Sequence, residues 1–152
     1  MKSILLFAAL SAAFLANPAQ AKVAALPAPA KTQCASKQEA FQAAQLYALL
    51  HGGLLVLTSG TPSMEPLIHG KTYVVVEKRP YASISLNDIL MYQGRANANL
   101  PKTQAMLHRA VAHDRYGWMM RGDNNRYTES WDRVTPQTYV GTLVAIFSFP
   151  QA

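Results

Sequence analysis

Met106-Leu107-His108-Arg109-Ala110-Val111-Ala112-His113 leads into Asp114-Arg115-Tyr116-Gly117, and the chain leaves that turn as Trp118-Met119-Met120-Arg121. The middle four residues have the composition of a hairpin loop, with a short polar residue first and a glycine last. The flanking runs then read as two antiparallel strands. In the first of them, alternation with period two points His108 away from the face that carries Leu107 and Arg109.

The same pattern extends outward. Further β-rich runs occur at Leu54 to Thr58, Thr72 to Glu77, Ile89 to Gln93 and Val140 to Phe149, separated by clusters of Gly, Pro, Asn and Asp. Strands that are short, evenly spaced and punctuated in this way predict a mainly β protein, with an antiparallel sheet or a barrel-like closure. Gly94 to Lys102, which holds Asn97 and Asn99, reads as a surface loop. Upstream, Ser36-Lys37-Gln38-Glu39 has the spacing of a capping box, in which the serine accepts the third amide of the helix and the glutamate reaches back. A helix of about four turns is expected to follow, with Phe41, Ala44 and Tyr47 along one face and Gly52-Gly53 ending it.

Residues 1–21 read as an export signal. Met1-Lys2 supplies positive charge, Ile4 to Leu15 is apolar apart from Ser11, and Asn17-Pro18 precedes the small-x-small triplet Ala19-Gln20-Ala21. Cleavage is expected after Ala21, and a periplasmic or extracellular location with it. A spanning helix needs about 20 apolar residues, more than this run has; left uncleaved, it would keep the protein at the membrane. Residues 22–35 are rich in Ala, Pro and Lys and read as a linker, which leaves 36–152 as one domain.

The composition limits the function classes. The chain has 152 residues, of which 50% are hydrophobic and 14% charged, so a packed core is expected rather than disorder. Its net charge of +6 is spread out, with no run longer than Lys78-Arg79. That argues against a nucleic-acid patch and suits a peripheral contact with anionic lipid. Cys34 is the single cysteine and has no partner for an internal disulfide. The histidines at 51, 69, 108 and 113 contain no i, i+4 pair, so no metal site and no cofactor are expected.

Two segments can carry chemistry: Ser59-Gly60-Thr61-Pro62-Ser63-Met64-Glu65-Pro66-Leu67, and His108-Arg109 followed by Gly122-Asp123-Asn124-Asn125. A serine in a Gly/Pro loop is ordinarily a turn residue, and a single strand histidine is ordinarily a packing residue. Both in one chain suggest a nucleophile with its base, because a hydroxyl needs a base to attack at neutral pH. A free imidazole titrates near pH 6.5 and needs little adjustment for that task. Its other ring nitrogen needs an orienting acceptor, and Asp123, Asp132 and Glu129 all follow in polar stretches.

These residues resemble the motifs of type I signal peptidases, a serine protease family in one clan with the LexA-like self-cleaving repressors. The Ser-Met-x-Pro element corresponds to Ser63-Met64-Glu65-Pro66, the basic strand to His108-Arg109-Ala110-Val111, and the Gly-Asp-Asn box to Gly122-Asp123-Asn124-Asn125. Histidine at 108, where most bacterial members have lysine, resembles the endoplasmic-reticulum and archaeal branches. The resemblance implies a signal-peptidase-type fold with Ser63 as nucleophile and His108 as general base. It further implies an oxyanion hole from the Ser63 amide and the Thr61 hydroxyl, and structural or pocket roles for Met64, Pro66, Gly122 and Asp123. Ser130-Trp131-Asp132 resembles the serine-x-aspartate that follows the box, which makes Asp132 the candidate to orient His108. The expected substrate is an exported polypeptide or precursor. The alternatives are a maturation protease dedicated to one partner, and a non-catalytic module that binds extended peptides by strand addition.

Overall fold

A computed structural model describes residues 28–94 and 105–151, with the side chains of 129–132 outside the described set. The helix forms where the capping residues place it. α1 spans Lys37–His51, and Ser36, in an extended conformation, accepts the Glu39 amide at 3.1 Å through its hydroxyl. The Glu39 carboxylate reaches back one residue beyond the cap and accepts the Ala35 amide at 2.7 Å. Gly52 ends the helix at φ 68°, where a side chain would be strained. Ser36→Ala should therefore lower stability by about 1 kcal/mol, read as a shift of the thermal melting midpoint.

The strands are β1 (Ala30–Gln33), β2 (Leu54–Leu57), β3 (Tyr73–Glu77), β4 (Ile89–Gln93), β5 (Ala105–Asp114), β6 (Gly117–Arg121), β7 (Glu129–Val134) and β8 (Tyr139–Ser148). They form one sheet in the order β2-β3-β8-β4-β5-β6-β7, with β1 added to β8. All pairings are antiparallel except that of β1. β8 is the hub. Residues 142–147 pair with β3, residues 139–142 with β4 and residues 145–148 with β1, so β1 occupies the edge that β4 leaves. The sheet is open rather than barrel-like, because β2 and β7 stand at opposite ends of the order. Closure requires continuous ladders around the ring; β2 has four residues, and the register of β7 on β6 shifts between Trp118 and Met120.

Two further differences from the sequence reading have local causes. Ala30–Gln33, placed by composition in the linker, forms β1, and the Cys34 amide continues the pairing by donating a hydrogen bond to the Ser148 carbonyl at 2.8 Å. On α1 the buried stripe is Ala40, Ala44 and Ala48, while Phe41 is exposed and Tyr47 half-buried. Alanines let the helix axis lie close on β3 and β8, and the two aromatic rings lie against Tyr73 and Phe147 at its flanks.

Three apolar clusters follow from strand alternation. Val75, Ala145, Phe147 and Phe149 meet α1 on one face. Val74, Val76, Ile89, Leu143 and Ile146 form a second cluster with Met64 and Ile68. Leu90, Tyr92, Ala110, Met120, Val134 and Tyr139 form a third at the β4–β5–β6 end. The second cluster anchors the loop that holds Ser63; the third anchors the strand that holds His108.

Candidate active site

Ser63 lies in a 3-10 turn, Pro62–Met64, between β2 and β3. Proline suits the first position of such a turn, since its missing N–H would have no internal acceptor there. Met64 is buried among Ile68, Val74 and Ile146, so the residue after the serine fixes the turn to the core. At its base, Thr58 pairs with Thr72 through its amide and also accepts the Thr72 amide on its hydroxyl, both at 2.9 Å. The loop is thus held at both ends and pinned in the middle.

His108 is buried on β5 and points toward this turn. Its Nε2 is 3.2 Å from Ser63 Oγ, and its Nδ1 is 3.1 Å from the hydroxyl of Tyr92. Tyr92 comes from β4, where Leu90 pairs with His108 and Tyr92 with Met106, so its ring reaches the imidazole diagonally on the same face. If Nε2 accepts the serine proton, Nδ1 carries the hydrogen and donates it to Tyr92 Oη.

Arg109, next on β5, faces the other way. Its Nε and Nη2 donate to the two carboxylate oxygens of Asp123 at 2.7 and 2.6 Å, and its Nη1 donates to the Asn87 carbonyl at 2.9 Å. The hydrogen bonds to Asp123, with that carboxylate's charge, raise the Arg109 pKa further above its ordinary value, against the opposing effect of burial. Asp123 therefore anchors its loop to β5, with both oxygens on the guanidinium. The loop then grips the serine turn: the Asn124 amide donates to the Ser63 carbonyl at 2.9 Å, and Asn124 Nδ2 donates to the Pro62 carbonyl at 3.1 Å. Gly122 is buried, and a Cβ there would stand 2.6 Å from the Ser63 carbonyl oxygen. His108 and Arg109 are adjacent on one strand, so this clamp ties the position of the serine to that of the histidine.

A cavity of about 430 Å³ opens beside the pair. Val56, Ile68, Val74, Met91 and Leu107 are among its apolar lining, and Thr61, Ser63, His108 and Asn125 supply polar groups. It lies between the end strand β2 and residues 105–108 of β5, whose described pairing is on the β4 side alone.

Of the residues singled out in the sequence, Ser63, His108, Thr61 and Met64 line this cavity. The Thr61 hydroxyl makes no capping bond to the turn. Pro66 is exposed, while Gly122 and Asp123 act behind the serine and do not line the cavity. The side chains of Asp132 and Glu129 lie outside the described residues. Tyr92 and Asn124 were not anticipated. The strand register carries Tyr92 to the imidazole, whereas Asn124 belongs to the recognised box without its backbone contact being visible there. No family model, curated protein or solved structure matches the chain.

Proposed function

We propose that this protein is a serine endopeptidase acting on exported polypeptides, with the chemistry of the signal peptidases its motifs resemble. The observation that carries the reading is the 3.2 Å approach of Ser63 Oγ to His108 Nε2 beside an apolar cavity. That separation is at the limit of hydrogen-bond reach, as is usual for a nucleophile and base without substrate.

An extended peptide would enter between β2 and β5 and place apolar side chains in the cavity. Ser63 Oγ attacks the scissile carbonyl carbon while His108 Nε2 takes the hydroxyl proton. The resulting imidazolium is held through Nδ1–H by Tyr92 Oη. The carbonyl oxygen becomes an oxyanion facing the Ser63 amide, in the first turn of the 3-10 segment where amides lack internal acceptors, and the Thr61 hydroxyl. Such a donor contributes about 2.7–4 kcal/mol to the transition state. His108 returns its proton to the leaving amine as the C–N bond breaks. Water, deprotonated by the same imidazole, then releases the acyl group and restores Ser63.

The test is covalent labelling with a serine-directed electrophile such as a fluorophosphonate, followed by peptide mapping, beside cleavage of small-x-small peptides followed by mass spectrometry. The expected label is on Ser63, with label and cleavage both dependent on His108. Folded protein that binds peptides and neither labels nor cleaves would favour the peptide-binding module instead.

A further inference from the structure

The serine loop leaves the sheet at Thr58 and returns at Thr72, and its return limb also meets a segment distant in sequence. Beyond β8 the chain runs Phe149-Pro150-Gln151. The β3–β8 ladder pairs Tyr73 with Phe147, and two positions further on it would set Lys71 against Phe149. The side-chain amide of Gln151 occupies that place. Its Oε1 accepts the Lys71 amide at 3.1 Å, and its Nε2 donates to the carbonyls of Lys71 and Phe149, both at 2.9 Å. A carboxamide carries the acceptor and donor of a peptide group with a second N–H besides, so it can bridge two chains just where Pro150 has no N–H to offer. On its other side Lys71 meets the outgoing limb: a Cβ at Gly60 would stand 3.3 Å from the Lys71 nitrogen. Gly60 directly precedes Thr61, the residue that begins the serine turn. Thr58, Ser59 and Thr61 of the outgoing limb and Ile68 of the return limb all line the cavity.

We propose that Gln151 is a positioning residue for the substrate: its amide holds the return limb of the serine loop against the outgoing one and so sets the width of the cavity that receives the peptide. For the identity of the occupant this rests on the peptidase reading. Ser63 itself is held from elsewhere, by the Asn124 contacts and the buried Met64, and His108 by its place on β5. Losing the Gln151 amide therefore loosens the cavity wall without parting the nucleophile from its base. Wall contacts are made by bound substrate and transition state alike, so the loss belongs in KM and not in kcat. Gln151 and Lys71 are both exposed, and water replaces part of what the amide supplies, which keeps the effect moderate.

The experiment compares the full chain with Gln151→Ala and Gln151→Glu. The glutamate keeps the length and the acceptor for the Lys71 amide but donates to neither carbonyl. Both variants should raise KM for a small-x-small peptide by about five- to tenfold, with kcat and the rate of fluorophosphonate labelling at Ser63 unchanged. In a Ser63→Ala background, where the peptide binds without turnover, Kd should weaken by the same factor. Hydrogen exchange of the Lys71 amide should be faster by about tenfold in Gln151→Ala. Unchanged exchange there would overturn the proposal, since the amide would then hold nothing. Faster exchange with unchanged KM and Kd would also overturn it and leave the contact structural, as would a fall in kcat or labelling, which would put the effect at the nucleophile. A wild-type KM in Gln151→Glu would remove the two-sided bridge. Wild-type protein that binds the peptide without labelling or cleaving would sink the peptidase reading alone, and the Kd comparison would still decide the role of Gln151. Peptide that binds none of the proteins would overturn both.

Discussion

Ser63→Ala is expected to lower kcat/KM by at least about 10⁴-fold, and His108→Ala to fall nearly as far, with the double variant little worse than either. Removing one member of a nucleophile–base pair costs about as much as removing both, because neither acts without the other. The folded protein should barely notice. Ser63 is half-buried in a loop, and the serine turn is held by the Asn124 amide, Asn124 Nδ2 and the buried Met64, none of which touches the hydroxyl. Losing one hydroxyl hydrogen bond costs about 1 kcal/mol, a few degrees in Tm at most. Stopped assays with mass identification of products, beside melting curves of all four proteins, check both halves. A Ser63→Ala protein that cleaves at the wild-type rate would remove the serine from the mechanism. A Tm loss matching the activity loss would make the hydroxyl structural.

An element is legible in the sequence where its cause is local, and hidden where it depends on pairing with a distant segment. The hairpin at Asp114 to Gly117 was legible because its turn chemistry is local: the Asp114 carboxylate accepts the Tyr116 amide at 2.8 Å, and Gly117 sits at φ 129°. The strands around Val74, Leu90 and Ile146 were legible because apolar runs between turn residues have few other uses. β1 and β7 were not, since Ala-Lys-Thr-Gln and Glu-Ser-Trp-Asp-Arg-Val carry no such pattern and are strands only because β8 and β6 offer them a partner. Tyr92 beside His108 was out of reach for a related reason. Its place follows from pairing Tyr92 with Met106, a register between segments that local composition does not specify. Asp123 could be read only as one of several acceptors; the bidentate contact with Arg109 required the β5 alternation and the following loop together.

Gly122→Ala is expected to lower kcat/KM by about 10²-fold, with a smaller effect on stability than on turnover. The added Cβ would stand 2.6 Å from the Ser63 carbonyl oxygen and 2.7 Å from Asn125 Nδ2, so either the serine turn or the asparagine loop must move. The asparagine loop is tied to β5 through Asp123 and Arg109 at 2.6 and 2.7 Å, which leaves the three-residue turn as the softer side. A displacement near 1 Å at a nucleophile costs on the order of 10²-fold, because attack angle, oxyanion contact and proton transfer are all lost together. Gly52→Ala provides the opposite control. At φ 68°, with nothing within 4 Å of its added Cβ, it should cost about 1 kcal/mol of stability through the left-handed backbone and leave kcat/KM unchanged. Equal loss of activity in both variants would mean that turnover tracks global stability and that the clamp positions nothing. Loss confined to Gly122→Ala would identify the loop at 122–124 as the part that sets the serine against its base.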